Sequence, residues 1–93
     1  MITAIVLINA QVDQIPEVAE TVAGIDGVSE VYSVAGDADL IAMVRVSEHE
    51  HLNDVIADRL NKVEGIIGTS THIAFRTYSR HDLEAAFSLG LEG

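Results

Sequence analysis

The sequence has no cysteine and no tryptophan, one proline, two tyrosines and two phenylalanines. Without cysteine there is no disulfide and no thiolate zinc site, which fits a reducing compartment. Basic residues are scarce: five Lys and Arg stand against fifteen Asp and Glu, for a formal net charge of -10 at pH 7. A module that grips a phosphate backbone needs a basic patch. None is visible, so direct nucleic-acid binding is not expected. Long hydrophobic runs are missing too. The apolar start "MITAIVLINA" is too short to span a bilayer and lacks a basic flank. Neither membrane association nor export is expected, and the cytoplasm is the expected location. What remains is a chain of 93 residues that is 48% apolar. That is enough for one domain with a modest core and too apolar for disorder.

Residues 2–8, "ITAIVLI", form a strand candidate with Ile2, Ala4, Val6 and Ile8 on one face and Ile5 and Leu7 on the other. Ile15, Val18, Ala19 and Val22 then recur at helical spacing, with Pro16 tolerated in the first turn. Asp26-Gly27 stops that helix, and "VSEVYSVA" reads as a second strand. After the turn "GDAD", residues 40–46, "LIAMVRV", are a third strand. Ser47 and Glu50 have capping-box spacing before a helix whose stripe is Leu52, Val55, Ile56, Leu60 and Val63. Glu64-Gly65 stops it, and "IIGTSTHIAFRTY" is a fourth strand.

The halves repeat at an offset of about 38 positions. Ala4, Val6 and Ile8 map onto Ala42, Val44 and Val46; Val18, Val22 and Ile25 map onto Ile56, Leu60 and Val63; Asp26-Gly27 maps onto Glu64-Gly65. Two successive β-α-β units predict an α+β, ferredoxin-like β-α-β-β-α-β sandwich, an antiparallel four-stranded sheet with helices on one face. Strands apolar on both faces need cover on both. Self-association supplies the second cover, so at least a dimer is expected. The domain is expected to occupy residues 1–78. Residues 79–93, with Leu83, Ala86, Phe87 and Leu91 at helical spacing, read as a short docked helix or a frayed tail.

The segments "DGVSEVYSVAGDADLIAMVRV" and "VEGIIGTSTHIAF" resemble the effector-binding, or amino-acid metabolism regulatory, domain of the Lrp/AsnC transcriptional regulators. The shared features are a Gly-Val before strand two, a Gly-x-x-Asp turn, an apolar strand, a Gly-Ile pair and a Thr-x-Thr strand, over about residues 1–78. Full-length members carry a helix-turn-helix ahead of this domain. Here strand one begins at residue 2, as in stand-alone members. The resemblance implies a homodimer assembling to an octamer-like ring, an amino acid or related small molecule bound between dimers, and mixed oligomers with full-length regulators of the family.

It also implies a site. Gly36 matches the family's turn glycine: it serves a hairpin needing positive φ and lets a ligand approach backbone N–H groups. Asp39 matches the turn aspartate, either a local turn-fixing side chain or an acceptor for a ligand ammonium. Thr69 and Thr71 match the Thr-x-Thr pair, and Tyr32 with Val34 offers an apolar wall. Asp37 reads as a solvated turn residue. In "EHEH", His49 and His51 are two apart on a helix and share no face, so no metal site is expected. There is no nucleophile elbow and no phosphate loop, so neither enzymatic activity nor a cofactor is expected. Two other readings remain: a purely structural assembly module, and a small dimeric α+β-barrel enzyme of the monooxygenase type. The apolar inner faces argue against the enzyme, because they leave no pocket between sheet and helices.

Overall fold

A computed structural model describes residues 1–80; the stretch read as a short docked helix or frayed tail, residues 79–93, lies outside them from residue 81 onward. Strand β1 (Ile2–Ala10) leads through a 3-10 turn (Val12–Gln14) into helix α1 (Ile15–Ala23), then β2 (Val28–Ser33) and β3 (Leu40–Val46). Helix α2 begins at His49–Asn53, continues as a π-helical stretch (Asp54–Arg59) and ends as a 3-10 turn (Leu60–Lys62); β4 (Ile66–Ala74) follows. The sheet is antiparallel with order β2-β3-β1-β4 and both helices on one face. This is the ferredoxin-like sandwich that the duplicated pattern predicts.

Strand alternation sorts the side chains. Ala4, Val6, Ile8 and Ala10 from β1 and Leu40, Ala42, Val44 and Val46 from β3 face the helices and are buried. Val18 and Val22 of α1 and Leu52, Val55 and Leu60 of α2 close the core, with Ile15, Ala19, Ile25, Ile56 and Val63 packed at its margin. The predicted stripes and the buried faces therefore coincide. Each fully buried Val, Leu or Ile contributes about 1.5–3 kcal/mol relative to exposure. On the other face, Ile5 and Leu7 lie opposite Met43 and Ile41, and all four stay half-buried. Among the described residues no helix is long and apolar enough to cross a membrane.

The helix-stop glycines are the clearest trace of the duplication. Gly27 and Gly65 adopt φ of 100° and 99°. Each packs against the helix of the other half: a Cβ on Gly27 would lie 2.7 Å from Val55 Cγ2, and one on Gly65 2.7 Å from Val18 Cγ2. The two stops thus lock the halves together as well as ending helices.

Three expectations are corrected. The capping box does not form: the N-cap of α2 is Glu48, in extended conformation, with no side-chain cap bond. Strand β4 ends at Ala74 rather than Tyr78, because Ala74 pairs with Thr3 and β1 has no partner to offer beyond Ile2. Strand β2 ends at Ser33 rather than Ala35, its last pair being with Leu40 at the start of β3.

Candidate functional site

The turn between β2 and β3 is tied to the neighbouring strand. The Val34 N–H donates to the Asp39 carbonyl at 3.1 Å, and the Asp39 N–H donates to the Ile8 carbonyl at 2.9 Å. The Ala10 N–H donates to Asp39 Oδ2 at 3.0 Å. That last bond has a local cause. The β1–β3 pairing ends at Ile8 and Leu40, while β1 runs on to Ala10. The Ala10 N–H therefore has no ladder partner on the β3 side, and the carboxylate accepts it. The side chain of Asp39 therefore reaches β1, while its carbonyl closes the turn. Gly36 has φ +139°, and a Cβ there would meet nothing within 4 Å, so its backbone borders open space. Asp37 is exposed.

The other candidate residues are spread over both faces. Thr69 and Thr71 lie opposite Ile8 and Val6, on the helix side of the edge strand. Thr69 Oγ1 donates to Asn61 Oδ1 at 3.0 Å, while Thr71 is exposed. Tyr32 lies opposite Ile41 on the open face and is 49% exposed. Val34 is half-buried just past the end of β2. Asp39 and Thr69 flank Ile8 from two sides, roughly 10 Å apart at one strand spacing each. Within one chain the structure brings Gly36, Val34 and Asp39 together, places Thr69 two strands away, and sets Tyr32 on the reverse face.

Polar groups gather at one edge of the open face. A register shift between Val28 and Glu30 sets Ser29 aside. Its Oγ donates to the Met43 carbonyl at 3.1 Å and accepts from Arg45 at 2.5 Å. Arg45 also pairs with Glu30 at 3.1 Å, both side chains about 40% exposed (39% and 42%). The Tyr32 hydroxyl, followed by Arg45, holds the Glu30 carboxyl below its usual value, and Glu30 in turn raises the Tyr32 phenol. Because the folded value of Glu30 is depressed, the contact favours folding above the ordinary carboxylate range and is lost as pH falls through the lowered value. Tyr32→Phe removes the leading donor. It is expected to move the Glu30 carboxyl upward in an NMR pH titration of the side chain; an unchanged titration would show that Arg45 alone sets it.

Among the described residues, two clefts flank the helices that neither the 34–39 turn nor Thr69 and Thr71 line. One, of about 440 Å³, is lined by Asp26, Gly27, Arg45, Val46, His51, Asp54, Val55 and Arg59. The other is lined by Asp13, Gln14, Glu17, Thr21, Val63 and Glu64. Among the described residues no three His, Asp or Glu side chains gather as metal ligands.

The fold is that of a small α+β module whose β2–β3 turn presents uncovered backbone at Gly36. Comparison with known proteins makes the assignment definite: residues 3–83 match the Lrp/AsnC ligand binding domain, and the chain belongs to that family. A crystal structure of a protein from Thermus thermophilus is 42% identical, with a TM-score of 0.81 over 86% of this chain and 100% of that one. One from Pyrococcus horikoshii is 32% identical, with a TM-score of 0.76 over 87% of this chain and 98% of that one. An HTH-type transcriptional regulator of Pyrococcus horikoshii is 43% identical over 61 residues, 66% of this chain and 41% of the regulator. The chain spans about half the length, or less, of the curated relatives it matches first: 41%, 41% and 52%.

Proposed function

We propose that this domain senses a small amino acid or a close relative and transmits the signal through self-assembly, without contacting DNA itself. The observation that carries the reading is membership of the ligand binding domain family. A feast or famine regulatory protein from M. tuberculosis, 28% identical with a TM-score of 0.66, has been solved in complex with L-methionine, which supports the ligand class. The placement of the candidate residues supports a site shared between copies. Gly36 presents uncovered backbone, Oδ1 of Asp39 has no partner among the described residues, and Thr71 is exposed two strands away. A small zwitterion does not bridge that gap within one chain. Two copies meeting at their edges bring one chain's turn to the other's threonines, with an octamer-like ring as the assembled form and mixed oligomers with longer regulators of the family as its output.

Asp39→Asn is the discriminating variant. Its amide oxygen still accepts the Ala10 N–H, so the fold contact survives, while the charge available to a ligand ammonium is lost. A thermal-shift screen of the twenty amino acids is expected to find one or more that stabilise the parent. For these, Asp39→Asn should weaken binding roughly ten- to hundredfold, the equivalent of about 1.5–3 kcal/mol for a charged hydrogen bond. Equal stabilisation of both proteins would assign Asp39 to the fold alone. A parent that responds to no amino acid would favour the structural assembly module.

A further inference from the structure

The internal duplication builds related clefts in the two halves, and of these two only one carries cations. At the offset of about 38 positions, Asp13, Glu17 and Thr21 of the first cleft correspond to His51, Val55 and Arg59 of the second, and Glu64 corresponds to Asp26. The first cleft carries Asp13, Glu17 and Glu64 and no cation. The second carries Arg45 and Arg59, two of the five Lys and Arg residues in an otherwise acidic chain, together with His51, Asp26 and Asp54. Val46 and Val55, both buried, supply an apolar floor.

The helices differ at the same positions. Helix α1 is regular α-helix over Ile15–Ala23. Its counterpart winds as π-helix over Asp54–Arg59. In an α-helix, residues five apart point well away from each other; in a π-helix the fifth residue closes the turn. This winding sets Arg59 beside Asp54 on the same wall of the cleft. π-Helical turns are rare and recur at functional sites. Gly27 supports the opposite wall, its missing Cβ allowing the loop to close on Val55. The side chains of Asp26, His51, Asp54 and Arg59 make no hydrogen bond or ion pair among the described residues, although both signs line one cleft. Arg45 alone is engaged, by Ser29 and Glu30.

We propose that this cleft is a second ligand site, built within a single chain, for a small zwitterion: its carboxylate on Arg59, its ammonium between Asp26 and Asp54, and a short aliphatic group on Val46 and Val55. Arg59 suits the carboxylate because its planar fork binds two oxygens at once. The site lies at the end of β3 remote from Asp39, roughly 20 Å away along the strand, and stands apart from the shared site proposed above.

The test separates the two sites. L-Valine is titrated into the full chain and followed through the Gly27 amide and Val55 methyl resonances. Isovalerate, which lacks the ammonium, and isobutylamine, which lacks the carboxylate, serve as half-ligands. Saturable shifts at Gly27 and Val55 are expected with valine, and binding about tenfold or more weaker with each half-ligand. Arg59→Gln and Asp54→Asn should each weaken valine binding by about tenfold or more. Thr21→Ala in the equivalent acidic cleft, and Asp39→Asn at the turn, should leave the titration unchanged. No shift at Gly27 and Val55 at tens of millimolar valine would overturn the proposal, as would equal binding by Arg59→Gln and parent. Shifts confined to the 34–39 turn would overturn it while leaving the shared site intact.

Discussion

Gly65→Ala is expected to lower stability by about 2–4 kcal/mol, from the cost of a left-handed backbone for a residue with a Cβ and from overpacking. The glycine sits at φ +99°, and an added Cβ would come within 2.7 Å of Val18 Cγ2 and 2.5 Å of Gln14 Oε1. Gln14 can swing aside. Val18 cannot, because it is buried in the core at the centre of α1. For a chain of this size each kcal/mol moves Tm by about 4–8 °C, so a loss of roughly 8–32 °C is expected in thermal unfolding at fixed protein concentration. Gly27→Ala should behave alike, since its Cβ would meet Val55 and Val46. Gly36→Ala isolates the backbone part: φ is positive there too, but nothing lies within 4 Å, so only about 1–2 kcal/mol should be lost. Equal effects at Gly36 and Gly65 would show that packing between the halves contributes little.

Leu7→Glu is expected to dissolve the self-assembly proposed above while leaving the fold in place. Leu7 faces away from the helices, among Ile5, Ile41, Met43 and Tyr32, and the buried inner face does not include it. A contiguous apolar face of this kind marks an interaction surface. In a sheet-to-sheet pair the new carboxylate would be desolvated without a partner, weakening association by about a hundredfold or more. Light scattering should then report the 10.0 kDa chain as a monomer with its far-UV circular dichroism intact. If the parent is itself a monomer at micromolar concentration, the pairing of open faces fails. If Leu7→Glu stays assembled, the contact lies elsewhere on the surface.

Element order, both buried stripes and both glycine stops were legible in the sequence because they depend on local period and local conformation. Alternation fixed Ala4, Val6 and Ile8 as one face, and helical spacing fixed Val18 and Val22. The offset between halves pointed to Gly27 and Gly65 as equivalents, and they share a φ near 100° (100° and 99°). Family likeness was also legible, because the turn and the Thr-x-Thr strand are short contiguous motifs. The site was harder to place. Tyr32 and the threonines fall on opposite faces because pairing partners, not spacing within one strand, decide which side a residue takes: Tyr32 meets Ile41, and Thr69 meets Ile8. The partner of Asp39 is an amide 29 positions away, left free where β1 outruns β3, an overhang that has no signature in the residues themselves. The π-helical winding that sets Arg59 beside Asp54 is likewise a tertiary outcome, since its sequence carries an ordinary helical stripe. The amino-acid sequence by itself determined which residues face the core and where each element stops, because those follow from bonds and torsions a few residues long. Only the tertiary structure decided which polar groups meet, because hydrogen bonds across strands and charges across a cleft join residues that the chain keeps far apart.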